Sequence, residues 1–155
     1  MELETGKDYY DEIESAISYE VGVNDVPGFI EAMLRSFSGK GTLYISSYDF
    51  GYWANSLAGF RSDEKVKLKT SLPDAAFLEN GFAITDEFIY VFLIDCLKNI
   101  DTRTMFNQFL IYRKGSPLLQ CCGNFENVYV NTEIPEGTIK ALKEKNIVTS
   151  WEKQD

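Results

Sequence analysis

Side chains suited to acid–base or metal chemistry are scarce in this sequence, because its 155 residues include no histidine. Histidine is the side chain most used for proton transfer near neutral pH and the commonest metal ligand. The three cysteines, Cys96, Cys121 and Cys122, show no CxxC spacing and lack the partners that a zinc site needs. We therefore expect no metal and no cofactor, and we interpret the cysteines as buried structural thiols.

The remaining motifs that could support catalysis have simpler explanations. The adjacent acids Asp86 and Glu87 could serve a two-carboxylate glycosidase mechanism, but neighbouring side chains at a predicted hairpin tip point apart. The Ser-Gly-Lys-Gly-Thr segment at 38–42 lacks the first glycine of a phosphate-binding loop and follows a predicted helix, so a helix end and a turn explain it. Asp95 follows the apolar run 88–94, which indicates the exposed end of a strand. The sequence predicts that the protein is not an enzyme.

An aromatic segment is the first candidate for a binding surface. Tyr48, Phe50, Tyr52 and Trp53 lie within six residues, and Asp49 is the only charged residue among them. Base stacking on nucleic acid is therefore disfavoured, because it normally requires interleaved basic residues. Tyr and Trp are enriched at the energetic centres of protein interfaces. Two interpretations stay open, a contribution to the core and an anchor for a protein partner.

The acidic residues are unevenly distributed along the chain. With 24 acidic and 15 basic residues the formal charge is −9, which opposes binding to a phosphate backbone. Residues 1–14 and residues 71–101 each contain six acids and one lysine, a net charge of −5 per segment. If the two segments adjoin, they form a negative field that steers a basic protein partner. The alternative is a solvated acidic surface without a partner. The residues predicted to bind the partner are Asp11, Glu14, Tyr48, Asp49, Tyr52, Trp53, Asp86 and Glu87.

The elements that must position these residues follow from the apolar spacing. An amphipathic helix is predicted over residues 8–20, and a second helix is predicted from the cap Asp25 to the stop signal Gly39. A last helix is predicted from the Ile-Pro-Glu segment at 134–136 to Lys145, with Asn146 in the left-handed conformation that ends helices. Between the helices the sequence predicts strands at 42–46, 65–70, 82–84, 88–94, 105–112, 118–122 and 127–131. Residues 85–87 are predicted as the turn of a hairpin.

This order of elements predicts an α+β fold. Helices before and after an uninterrupted series of strands favour one domain over residues 1–155, with an antiparallel sheet of about five or six strands, two N-terminal helices and one C-terminal helix. The start of the chain has no basic and apolar signal pattern, and the longest apolar run holds seven residues where a bilayer span needs about 20. We expect a cytoplasmic protein that binds neither a membrane nor nucleic acid.

As a whole, this small, acidic, histidine-free α+β chain with surface Tyr and Trp resembles bacterial toxin-immunity proteins, in particular those that protect against contact-dependent growth-inhibition toxins. The resemblance lies in size, charge and composition over the whole chain, and no diagnostic motif carries it. It implies a stoichiometric inhibitor that binds a basic toxin domain, often a nuclease, and blocks its active site. It assigns no role to any residue by position.

A second resemblance is local. Residues 81–90, GFAITDEFIY, are similar to a strand–turn–strand of bacterial pleckstrin-homology-like domains. That resemblance implies a strongly bent sheet capped by a helix, which residues 136–145 would supply. The alternative function is therefore a non-enzymatic adapter or a pleckstrin-homology-like binding module, although the negative charge of the chain opposes binding to anionic lipid headgroups.

Overall fold

A computed structural model describes residues 18–47, 56–62, 66–67, 77–78, 81–96, 106–113 and 116–154. Within these ranges the complete α-helices are α1 (Val26–Ser36), α2 (Asp86–Val91) and α3 (Glu136–Glu144). A 3₁₀ turn covers Ala58–Phe60, and a π-helical turn covers Phe92–Cys96. The strands are β1 (Ser18–Val23), β2 (Thr42–Ser47), β3 (Val66–Lys67), β4 (Phe77–Leu78), β5 (Gly81–Ala83), β6 (Phe106–Arg113), β7 (Ser116–Cys122), β8 (Asn127–Asn131) and β9 (Val148–Gln154).

One antiparallel sheet organises the described residues. Its seven strands have the order β5-β2-β6-β7-β8-β1-β9, and β3 and β4 form a separate pair. Strand β1 lies between β8 and β9, with Ser18 opposite Asn131 on one side and opposite Gln154 on the other. The α+β class with an antiparallel sheet is therefore confirmed, with seven strands where the sequence predicted five or six.

Helix α1 forms as the sequence predicts. The Asp25 carboxylate accepts a hydrogen bond from the backbone N–H of Gly28 at 3.1 Å, and Pro27 occupies the first turn, where a missing N–H costs nothing. Gly39 ends the segment with φ of 73°, a conformation that glycine adopts without strain. The buried residues of the helix are Phe29, Ile30, Met33 and Leu34, and Phe37 is buried just after it. The segment at 38–42 is thus a helix end that leads into β2.

Helix α3 also forms where it is predicted. It buries Ile139 and Leu142 against the sheet, and it ends at Asn146, whose φ of 61° is the left-handed conformation. The side-chain amide of Asn24 donates to the Asn146 carbonyl at 2.8 Å, and the backbone N–H of Asp25 donates to the Ile147 carbonyl at 3.1 Å. These bonds connect the loop after β1 with the turn that leads into β9.

Aromatic rings form a continuous core between the helices and one face of the sheet. Phe88 stacks on Phe82 and on Phe92, with ring centroids 5.6 Å apart in both pairs. Phe92 continues to Phe109 at 6.4 Å, and Phe109 lies 5.7 Å from Phe125. Stacked and tilted ring contacts of this kind stabilise a core beyond the area that they bury.

The opposite face of the sheet is also buried at the central strands β2, β6 and β7. Tyr44 and Tyr112, at 2% and 1% exposure, meet edge to face at 6.2 Å. The side-chain amide of buried Gln120 donates to the Tyr112 hydroxyl at 3.0 Å, so this buried face carries hydrogen-bonded polar groups. Both faces of the central strands are therefore covered.

The predicted first helix is wrong at its C-terminal end. Residues 18–20 belong to β1, where buried Tyr19 and Val21 alternate with exposed Glu20. Two neighbouring strands satisfy the backbone of β1, and this pairing with distant parts of the chain outweighs the helical spacing seen in the sequence. Residues 8–17 of the predicted helix lie outside the described residues.

The predicted hairpin at 82–94 is also wrong. Its first strand forms as β5, but residues 88–94 belong to α2 and to the π-helical turn after it. Thr85 caps α2, because its hydroxyl oxygen accepts a hydrogen bond from the Phe88 N–H at 3.0 Å. The apolar run 88–94 is rich in aromatic and β-branched residues, which favour strands and conceal the helix. The local resemblance to a pleckstrin-homology-like strand–turn–strand therefore fails in these residues.

Two other predictions lie partly or wholly outside the described part of the chain. The aromatic segment 48–53 is outside it, and of the predicted strand 65–70 only Val66–Lys67 is described, paired with Phe77–Leu78. The strands predicted at 42–46, 105–112, 118–122 and 127–131 are confirmed as β2, β6, β7 and β8. Of the helices that the structure describes, none has the length and apolar character needed to cross a membrane.

Candidate partner-binding surface

Two of the predicted site residues, Asp86 and Glu87, lie in the described part of the chain. Both are exposed and neighbour each other in the first turn of α2. The other predicted site residues lie outside the described residues: Asp11, Glu14, Tyr48, Asp49, Tyr52 and Trp53. The structure thus locates one acidic pair of the predicted surface and moves it from a hairpin tip to the start of a helix.

The outward side of α2 and its π-helical turn carries more than acids. Tyr90 is 68% exposed and Ile94 is 48% exposed, and they are the exposed large hydrophobic residues that the described ranges contain. Asp95 is exposed beside Ile94. We call this surface the α2 face and define it by Asp86, Glu87, Tyr90, Ile94 and Asp95.

The inward side of the same segment fixes the α2 face to the core. Phe88, Phe92 and Cys96 are completely buried and recur every four residues, and Ile89 is 3% exposed. Phe60 covers the Phe88 ring edge to face at 5.7 Å. The exposed side chains therefore project from a backbone that the core holds in place.

The start of α2 is joined to the end of α1. The Ser38 hydroxyl donates to an Asp86 carboxylate oxygen at 2.9 Å, and the Gly39 N–H donates to the Ile84 carbonyl at 2.7 Å. Asp86 and Glu87 also lie at the positive end of the helix dipole, which favours negative charge. The two acids thus have a local structural role. No such role explains why Tyr90 and Ile94 are exposed.

The cysteines are buried, as predicted. Burial, with a smaller contribution from the negative charge of Asp95, raises the pKa of the Cys96 thiol to about 11. Burial also raises the pKa of Cys121, and neighbouring Cys122 adds to the effect. Cys121 and Cys122 face opposite sides of β7, yet neither is exposed, because both faces of the central strands are covered. Raised pKa values keep Cys96 and Cys121 protonated near neutral pH, and a protonated thiol is a poor nucleophile.

The chemistry available to the α2 face is recognition. It offers carboxylates at its rim and an aromatic ring with an aliphatic side chain between them. Across the described ranges, no group of three or more His, Cys, Asp or Glu side chains is placed to hold a metal ion. We derive no reaction from the residues of this surface.

Sequence reasoning missed Tyr90 and Ile94. Under the predicted strand, Tyr90 shares a face with Phe88 and Phe92, because side chains two apart in a strand point the same way. In the helix, Phe88 and Phe92 are one turn apart and Tyr90 falls on the other side. Thr85 followed by two acids was the available signal, since this combination is typical of a helix start.

No protein-family model, no curated protein and no solved structure matches this chain, so its function is argued from its own residues.

Proposed function

We propose that this protein binds a basic protein partner through the α2 face and acts as an immunity protein. The partner is a toxin domain, of the nuclease type, whose active site the bound protein covers. The protein works in the bacterial cytoplasm by occupying its partner, so it needs no cofactor and no reaction of its own. Two observations support this proposal. The chain resembles immunity proteins in size, charge and composition, and the α2 face offers a surface to which a partner could bind.

The observation that carries the proposal is the exposure of Tyr90 and Ile94 on a rigid segment. Tyr90 and Ile94 are four residues apart, about one turn, across the junction of α2 and the π-helical turn, so the two exposed side chains lie on the same side of this segment and define a small apolar patch. Tyr is among the residues most enriched in binding hot spots, because it buries a large area at a small cost in side-chain entropy. Folding leaves this patch in water, and a partner gives it a place to be buried.

The charges around the patch define the chemistry of the partner. Asp86 and Glu87 lie at one end of the segment and Asp95 lies at the other, within a chain of charge −9. A partner with Lys or Arg around an apolar pocket complements this arrangement. Such opposite potentials accelerate encounter, whereas the buried aromatic group slows dissociation. The active sites of nucleases suit this role, since they attract phosphate backbones with positive charge.

The decisive experiment uses the toxin gene expected immediately upstream of the gene for this protein. Co-expression of the protein with that toxin domain should restore bacterial growth. The double variant Tyr90→Ala/Ile94→Ala should lose this protection and raise Kd by about 30-fold or more, which corresponds to the ~2 kcal/mol of a hot spot. Its dissociation rate should account for most of the change.

A charge-matched pair of variants tests the acids. Asp86→Asn/Glu87→Gln should lower the association rate at low salt, because these rim charges act mainly on encounter. The amide oxygen introduced at position 86 can still accept the Ser38 hydrogen bond. The control Glu144→Gln/Glu152→Gln removes the same charge on α3 and β9, at the opposite edge of the sheet from β5, and should leave the rate unchanged.

Two results would contradict the proposal. One is full protection by the Tyr90→Ala/Ile94→Ala variant at unchanged protein level. The other is an association rate that is insensitive to salt and to both acidic replacements. The predicted anchors Tyr48, Tyr52 and Trp53 stay predictions; for Trp53→Ala we expect a faster dissociation rate at unchanged melting temperature.

A further inference from the structure

A cleft of about 430 Å³ opens on the described surface where three segments meet: the end of α1, the end of β6 and the turn before α3. Pro135 is its exposed apolar residue, whereas Phe37 and Ile134 line it but are only 1% and 3% exposed and offer little accessible surface. Its volume falls in the range of about 300–1,000 Å³ in which small-molecule sites occur. Neither the acidic pair nor the α2 face includes any of these residues.

The charged side chains of the cleft are not fully paired with each other. Arg113 donates from Nη2 to the Glu133 carboxylate at 2.6 Å, which uses part of the donor capacity of the guanidinium. Lys40 lines the same cleft and has no ion-pair partner among the residues that the structure describes. The N–H of Glu133 donates to the side chain of Asn131 at 2.9 Å, which fixes the turn that carries this carboxylate.

We propose that this cleft binds a monocarboxylate with an apolar body. Its lining carries two positive charges and one negative charge, a local excess of +1 in a chain of charge −9. One carboxylate balances that excess, whereas a dianion such as a phosphate monoester meets additional repulsion from the rest of the chain. The planar guanidinium of Arg113 matches the two oxygens of a carboxylate, and the exposed ring of Pro135 can contact a short hydrocarbon. A free organic acid and the C-terminus of an apolar peptide offer this same chemistry.

The test is a titration of the full-length, ¹⁵N-labelled protein with hexanoate, hexanamide and hexyl phosphate. Hexanoate should give saturable shifts at the amides of Phe37, Lys40 and Ile134. Hexanamide, equal in shape but neutral, should bind about tenfold more weakly, because hydrogen bonds to a charged partner are the stronger ones. Hexyl phosphate should also bind more weakly. Equal binding of the acid and the amide, tighter binding of the phosphate, or no saturation by hexanoate overturns the proposal.

A peptide with an apolar C-terminal residue, as free acid and as amide, distinguishes the two sources. Tighter binding of the free-acid peptide than of hexanoate assigns the site to a protein C-terminus, and the reverse order assigns it to a small organic acid. Both outcomes support the carboxylate chemistry, while equal binding of the two peptide forms argues against it.

Two variants and a matched control locate the binding. Lys40→Gln should weaken hexanoate binding about fivefold, since it removes one charge at an exposed position and breaks no ion pair. Arg113→Gln should weaken it further, because the Glu133 carboxylate then repels the ligand. Lys140→Gln, on the exposed side of α3, removes the same charge away from the cleft and should change nothing. Unchanged affinity in Lys40→Gln and Arg113→Gln, at unchanged melting temperature, excludes the cleft as the site.

Discussion

Tyr90 and Phe88 are two residues apart, and replacing each by alanine tests whether residues 86–91 form a helix or a strand. In a strand, the two side chains would share a face and both would support the core. In α2 they lie on opposite sides, Phe88 completely buried and Tyr90 68% exposed. We therefore expect Phe88→Ala to destabilise the protein strongly and Tyr90→Ala to leave its stability nearly unchanged.

The expected magnitudes follow from the contacts of each ring. Phe88 touches the rings of Phe60, Phe82 and Phe92 at centroid distances of 5.6–5.7 Å, so its removal leaves a cavity in the centre of the aromatic core. Such Phe→Ala changes cost about 3–5 kcal/mol. For a chain of this length, about 1 kcal/mol lowers the melting temperature by about 2–4 °C, so a loss of about 10 °C is expected. Tyr90→Ala should change the free energy of unfolding by less than about 0.5 kcal/mol.

Urea and thermal unfolding, followed by circular dichroism, measure both variants against the parent protein. The two probes should agree on the order of stability, and the urea m-values should stay equal, which shows that the unfolded states remain comparable. A Tyr90→Ala variant as unstable as Phe88→Ala would refute the helical assignment of residues 86–91 and, with it, the α2 face.

Four further predictions concern the stability of the fold. Thr85→Ala should cost about 1 kcal/mol in urea unfolding, because it removes the cap of α2. Gly81→Ala should cost about 1–3 kcal/mol through overpacking, since a Cβ there would lie 2.7 Å from a ring carbon of Tyr44, whereas Gly59→Ala meets nothing within 4 Å and should be neutral. A thiol reagent at pH 8 should label the cysteines only as fast as the protein unfolds. Cys96, with its pKa raised from 9.0 to about 11, should make stability fall between these pH values, because the unfolded state releases its proton first.

Helices α1 and α3 could be predicted from the sequence, because single residues at their ends favour helix initiation or termination. Helix α1 carries Asp25 as its cap, Pro27 in its first turn and Gly39 after its end, and each acts within a few residues of its own position. Asn146 marks the end of α3 in the same way. These interactions need no distant partner, so they can be recognised in the sequence.

The predictions that failed depend on contacts between distant parts of the chain. The spacing around Tyr19 suits a helix as well as a strand, and the neighbours β8 and β9, more than a hundred residues later, select the strand. The run 88–94 suits a strand by composition, and packing of Phe88 and Phe92 against Phe82 and Phe109 selects the helix. In both cases the local preference is small and the tertiary contacts outweigh it.

The candidate binding surface was also predicted only in part, namely in its charge and not in its apolar residues. Composition predicted an acidic surface and a basic partner, and Asp86 and Glu87 lie exposed as a pair in the structure. Which apolar side chains lie beside these acids depends on the backbone conformation. In a strand Tyr90 would point to the same side as the core residue Phe88, whereas in the helix it faces water. In the structure, Tyr90 and Ile94 are the exposed apolar residues of the α2 face.

The charge of −9, the absence of histidine and the α+β class can be recognised without a structure, because they follow from composition and from patterns a few residues long. Contacts between distant residues were needed to establish that β1 lies between β8 and β9, that the apolar run 88–94 forms helical turns in spite of its strand-like composition, and that Lys40, Arg113 and Glu133 line one cleft. Each of these depends on residues that are far apart in the chain. Their contacts become favourable only when the whole core forms, because the entropy lost in bringing them together must be offset by many contacts at once.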